Sequence, residues 1–99
     1  KQRPVIIVSN NDYNQKYQDV VVVALTSNPE LTDYSFTITL ADLAQGTLKR
    51  PSQLRVDKLY TLSQSIIVKT FGRVNESVIE RIETYLQTLI RHKGNEKDS

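Results

Sequence analysis

Apolar residues fall along this chain in three rhythms, and each predicts a different element. Residues 5–9 and Asp19–Thr26 carry continuous runs, Val5-Ile6-Ile7-Val8 and Val20-Val21-Val22-Val23-Ala24-Leu25. Runs of this length without helical periodicity predict strands covered on both faces. Residues 34–40 alternate, with Phe36, Ile38 and Leu40 facing one way and Ser35, Thr37 and Thr39 the other, the pattern of a half-buried strand. Residues 54–62 alternate with a break in phase: Leu54, Val56 and Tyr60 are out of step with Arg55, Asp57 and Leu59, and a bulge near Lys58 reconciles them. The third rhythm is helical. Val78, Ile79, Ile82, Tyr85, Leu86, Leu89 and Ile90 recur at three- and four-residue spacing behind Asn75, a residue suited to an N-cap. Gly94 is the expected stop, with Arg91, His92 and Lys93 in the last turn.

The intervening segments are rich in turn formers. Residues 10–14 read as a loop, 27–30 as a turn, and 42–51 as a loop with a helical turn, closed by Gly46 and Pro51. Residues 64–70 fit either a short strand or a turn of helix. Several short strands followed by one helix, with no β-α-β alternation, predict a small antiparallel barrel or curled sheet capped by that helix.

Composition narrows the function classes. Ninety-nine residues make one domain. With no Cys and a single His, disulfides, thiolate metal sites and imidazole-rich metal sites are excluded, and no metal or other cofactor is expected. The absence of Cys also suits a reducing compartment, so a cytoplasmic location is expected. No apolar run approaches the roughly 18 residues of a membrane span. The net charge of +2 permits a polyanionic partner without requiring one.

Three polar clusters stand out against the apolar runs. Arg3 precedes Pro4 at the mouth of the first strand, where the proline fixes the backbone and biases Arg3 toward an extended form. Thr26 ends the second strand. The stretch from Ser52 to Lys58, continuing to Thr61, mixes hydroxyl, amide, cation and carboxylate. Taken singly, Arg3 is a surface cation beside an edge proline, Thr26 a hydroxyl capping a turn, and Asp57-Lys58 a solvated pair. Antiparallel pairing of the first two strands, however, brings Arg3 beside Thr26. An always-charged fork and a hydroxyl at one rim form a minimal set for stabilising a phosphoryl transition state. Tyr13, Tyr17 and Tyr34 are the loop aromatics available to stack on bases.

These segments resemble the MazF/PemK toxin family. The resemblance is carried by Arg3-Pro4-Val5 through Ser9, by Val21 to Ser27, by Gly46 to Ser52 with Val56 to Leu62, and by Phe71-Gly72-Arg73-Val74 before the helix. It implies a mainly β fold, an SH3-like antiparallel β-barrel with a C-terminal α-helix, usually a homodimer. It implies a metal-independent endoribonuclease that cuts single-stranded mRNA and leaves a 2′,3′-cyclic phosphate and a 5′-hydroxyl. A cognate antitoxin is the implied protein partner. Arg3 and Thr26 fall on the family's catalytic positions; Ser27, Ser52, Asp57, Lys58 and Thr61 are the implied RNA contacts. Where many members carry Gln after the acidic residue, this chain has Lys58. The family pattern also places a strand before the Arg-Pro. The expected domain, residues 1–94, therefore lacks that strand, and 95–99 form a polar tail. Two other classes share these features: a protein-binding toxin of the same superfold, of the gyrase-inhibitor kind, and an inactive truncated member.

Overall fold

The structure is a computed structural model, and it describes residues 3–28 and 30–93. The expected Gly94 stop and the 95–99 tail lie outside that range. The two continuous apolar runs form β1 (Val5–Ile7) and β2 (Asp19–Thr26), paired antiparallel with Val5 opposite Ala24 and Ile7 opposite Val22. Strand β3 spans Ser35–Ile38 and β5 spans Ser52–Ser63. Together they make a four-stranded sheet in the order β1-β2-β5-β3. A separate two-stranded sheet joins β4 (Leu43–Gly46) to β6 (Gly72–Val74), and α2 (Glu76–Ile90) closes the chain. The architecture is mainly β with a C-terminal helix, a curled antiparallel half-barrel.

Strand β5 organises the sheet. Its second half pairs with Asp19 to Val23 of β2, from Ser63 back to Leu59. Its first half lies between β2 and β3, with Leu54 opposite both Leu25 and Phe36. Between these halves the register slips: Val23 faces Leu59, whereas the next residue, Ala24, faces Arg55. Val56, Asp57 and Lys58 therefore have no partner on β2. This is the bulge that the broken alternation predicts. The Val56 amide continues the β3 ladder by donating to the Tyr34 carbonyl at 2.9 Å, and its side chain is fully buried.

The main core cluster lies on one face of the sheet, while Val20 and Val22 of β2 are buried on the other. Ile6, Val23, Phe36, Ile38, Leu54 and Val56 pack with Val78 and Ile82 of α2, and Tyr85 and Leu86 extend the contact. The Phe36 and Tyr85 rings lie 5.1 Å apart, and the Arg81 guanidinium covers Phe36 at 4.2 Å. The helical stripe is thus buried from Val78 to Leu86. Its last two members, Leu89 and Ile90, are exposed.

Several local expectations change. Residues 10–14 are not a loop: Asn10 caps a short helix, α1 (Asn11–Lys16), by accepting from the Tyr13 amide at 2.9 Å. The turn propensity read there is equally an N-cap propensity. Leu40 is not inward with Phe36 and Ile38, because the chain leaves the strand for a 3₁₀ turn at Leu40–Asp42 and Leu40 is exposed. The expected loop 42–51 contains β4. Gly46 ends that strand at φ 93°, opposite Gly72, where a Cβ on either glycine would collide with backbone of the other strand. Residues 64–66 form a 3₁₀ turn. Asn75 starts α2 but makes no side-chain cap; its side-chain amide donates to the Ala41 carbonyl at 3.1 Å instead. The helix ends at Ile90, so Arg91, His92 and Lys93 lie beyond its last turn.

Ile82 is 1% exposed at the centre of the helix–sheet contact. Ile82→Ala should lower unfolding stability by about 3 kcal/mol, through lost burial and a residual cavity. Ile90→Ala, at a 67% exposed position, should change it by less than about 0.5 kcal/mol. Equilibrium urea unfolding of the two variants checks the pair, and equal losses would show that the helix does not dock through this stripe.

Candidate nucleic-acid interface

The sheet face opposite α2 carries the candidate chemistry. Side chains on a strand alternate, and directly paired residues share a face. Val5, Ala24, Arg55 and Ser35 therefore form one row across the four strands. Thr26, Gln53 and Thr37 form the adjacent row, in which Gln53 is buried and accepts from the Thr37 hydroxyl at 3.1 Å. The Leu25 amide donates to the Pro4 carbonyl at 3.2 Å, which carries the β1–β2 register past the end of the strand. Continued one residue further, that register sets Arg3 across from Thr26.

Arg3 and Thr26 line one cleft of about 160 Å³ together with Pro4, Ala24, Leu25, Asn28, Arg55, Lys58 and Tyr60. Three of these residues are cations and none is a carboxylate. The segment leading into β1 contributes Arg3 from one side of β2, and β5 contributes Arg55 from the other. Lys58 reaches the cleft because the bulge turns it out of the ladder. Thr26 Oγ1 accepts from the Asn28 amide at 3.1 Å, closing the turn after β2 and leaving the hydroxyl proton to be donated elsewhere. It is both a capping hydroxyl and a wall of the cleft. Tyr60, 41% exposed, presents a ring at its edge.

Within the bulge, Arg55 grips Asp57 through two parallel bonds, Nε to Oδ1 at 2.9 Å and Nη2 to Oδ2 at 2.8 Å. These hydrogen bonds, more than the simple attraction of opposite charges, lower the Asp57 pKa from its ordinary value, and burial acts against them. The same bonds raise that of Arg55. The Asp57 carboxylate is therefore committed to Arg55.

Of the residues expected to contact RNA, Lys58 lines the cleft with the Arg3–Thr26 pair. Ser27, Ser52, Asp57 and Thr61 do not. Ser27 is exposed past the end of β2, and Ser52, the first residue of β5, is opposite Ile38 and shares its core-side face. Thr61, opposite Val21, points to the other face from Tyr60. The sequence reading set Arg55 in a polar cluster and Tyr60 in the stretch from Asp57 to Thr61 without naming either as a contact, and it did not single out Asn28. For Arg55 the signal was present: with Leu54 and Val56 inward, it must project to the Thr26 side. Among the described residues, no three of His, Cys, Asp and Glu cluster as metal ligands, and no helix is long and apolar enough to cross a membrane.

The Asp57 carboxyl has a depressed pKa when folded, so its ion pair stabilises the native state above the unfolded carboxyl pKa of about 4. That contribution is lost as pH falls through the folded value. Because both side chains are partly exposed, Asp57→Asn should cost no more than about 1 kcal/mol at pH 7. The gap between variant and parent should close progressively below about pH 4. Urea unfolding of both across this range measures it; a gap constant with pH would mean that the pair does not hold the bulge.

The fold has solved counterparts. At 25% identity the chain superposes on a mycobacterial endoribonuclease in complex with its cognate antitoxin, with a TM-score of 0.75 over 92% of this chain and 84% of that one. It is similar to a second mycobacterial endoribonuclease at 28% identity, TM-score 0.73, over 87% of this chain and 77% of that one. It shares the fold of the Mycobacterium tuberculosis toxin MazF-mt6, at 19% identity and TM-score 0.75, over 89% and 85% of the two chains. No curated protein sequence matches it at a significant level. The family model of PemK-like, MazF-like toxins matches residues 1–90, nearly the whole described chain, and the chain belongs to this toxin family of type II toxin–antitoxin systems.

Proposed function

We propose that this chain is an endoribonuclease toxin that cuts single-stranded mRNA without a metal ion. The observation that carries this reading is the placing of Arg3 across from Thr26 in a cleft lined by cations and free of carboxylates. The RNA 2′-hydroxyl oxygen attacks the adjacent phosphorus. The O2′–P bond forms as the P–O5′ bond breaks, the 2′-hydroxyl proton is lost, and O5′ takes up a proton. The products are a 2′,3′-cyclic phosphate and a 5′-hydroxyl. Nucleophile and phosphorus sit in one nucleotide, so orientation is already provided. What remains is negative charge developing on the phosphoryl oxygens, which prearranged donors stabilise. Arg3 supplies a guanidinium fork; the Thr26 hydroxyl, fixed by the Asn28 amide, donates to the same phosphate. Lys58 adds charge at the cleft wall, and the Tyr60 ring is placed to stack on an unpaired base. Among the solved counterparts, one endoribonuclease is bound to its antitoxin, which supports a cognate antitoxin as partner here. The reading also includes a homodimer and a cytoplasmic site of action.

Incubation of the protein with a long single-stranded transcript in excess EDTA tests it. The parent should cleave, and the fragments should accept a 5′-phosphate from polynucleotide kinase without prior dephosphorylation. Arg3→Ala should lose about 10²–10³-fold in rate, the scale of removing one transition-state donor. Thr26→Ala should lose about 10-fold or more. Circular dichroism confirms that both variants fold. A parent that leaves RNA intact, or variants that cut as fast as the parent, would overturn the assignment. For the homodimer, sedimentation showing monomer alone at tens of micromolar is the contrary result.

A further inference from the structure

We infer that Arg55 is a second phosphate-gripping cation of this cleft and that Asp57 is its positioning residue; the nature of the ligand rests on the ribonuclease reading. Arg55 occupies the row next to Thr26 on the same face, about two residues or roughly 7 Å along the strand direction, and it lines the same cleft. Arg3 and Arg55 come from the two strands that flank β2, each about 4.8 Å from it. Two guanidinium groups thus approach the end of β2 from opposite sides.

A guanidinium carries five N–H donors in one plane. Asp57 takes one on Nε and one on Nη2, which is one edge of the fork. Three donors remain, two on Nη1 and one on Nη2, and the end-on edge, formed by one from each nitrogen, keeps the spacing that suits two oxygens of a phosphate. The clamp also ties Arg55, the last paired residue before the slip, to Asp57, the second of the three unpartnered residues of β5, so it fixes the direction of Arg55 and part of the bulge together. An Arg on a free strand face would sample many rotamers; this one is held at its side-on edge and offers its end. Lys58 lies on the same cleft, and the Glu30 carboxylate also acts on Arg55 through space. By formal charge, the three cations of the cleft outnumber these two carboxylates, Asp57 and Glu30.

The test measures binding apart from cleavage. A 2′-O-methyl oligoribonucleotide cannot be cut, because the attacking oxygen is blocked. Its affinity is read by fluorescence anisotropy from 50 to 300 mM salt, with the folded state of each variant confirmed by thermal unfolding. Arg55→Ala should weaken binding about 10-fold and reduce the slope of log K against log salt by about 0.7, the single-strand value for one phosphate contact. Arg55→Lys should keep the slope yet bind about 3-fold more weakly, since an ammonium cannot be clamped and forked. Asp57→Asn is the discriminating variant. If Asp57 merely repels RNA, removing its charge tightens binding; if it positions Arg55, binding weakens about 3-fold despite the gain in net charge. Unchanged affinity and slope for Arg55→Ala, tighter binding by Asp57→Asn, or no binding by the parent would each overturn the inference. Failure to cut unmodified RNA, by contrast, strikes the ribonuclease reading and leaves the salt slopes to decide on Arg55.

Discussion

The slip between β2 and β5 is the constraint on which both halves of the molecule depend. Three consecutive residues of β5 lack partners on β2, and they go three different ways. Val56 turns into the core, where it is fully buried, and its amide stays in the β3 ladder. Asp57 turns outward to take Arg55. Lys58 enters the cleft. A regular ladder would leave these side chains alternating along one straight strand, and the sheet would be too flat to wrap α2. Bulges sharpen strand twist and re-aim side chains; here one irregularity curls the sheet around the helix and assembles the polar face behind it.

The two faces of the sheet divide the work. The α2 side is apolar, close-packed and positioned by long-range contacts, so it resists small displacements. The other side is mixed: Val20 and Val22 are buried on it toward one end, the polar cleft lies at the Thr26 end, and the geometry of that end is inherited from the first side. Ala24 and Thr26 are held at their places because Val23 and Leu25, their neighbours on β2, pack into the core. Rigidity at the cleft is thus supplied through the backbone from behind.

Much of this was legible in the sequence because it is written in local periodicity. The apolar runs marked β1 and β2, the phase break marked the bulge, and the helical stripe marked α2. The pairing of Arg3 with Thr26 followed from the simplest antiparallel register. What stayed hidden depends on distant partners. β4 and β6 are short and largely exposed, and they pair because Gly46 and Gly72, 26 positions apart in sequence, let two backbones approach closely. Nothing near either glycine announces the other. Arg55 was passed over for the opposite reason: an arginine on a strand looks like an ordinary solvated cation, and its role is visible only once the phase of its neighbours and the position of Asp57 are known. Ser52 and Thr61 illustrate the converse, since their residue type suits RNA while their register and facing place them away from the cleft.

Pro4 has a quieter effect on the same rim. Antiparallel pairing at this position calls for two reciprocal bonds. Leu25 gives its amide proton to the Pro4 carbonyl, but proline has no N–H to return. The zipper joining β1 to β2 therefore closes on one tooth where a matching pair would otherwise meet. The Leu25 carbonyl thus lacks the ladder donor that any other residue at position 4 would supply. At that pair the rim beside Thr26 is held by half of the main-chain bonds that the same register would give to any other residue.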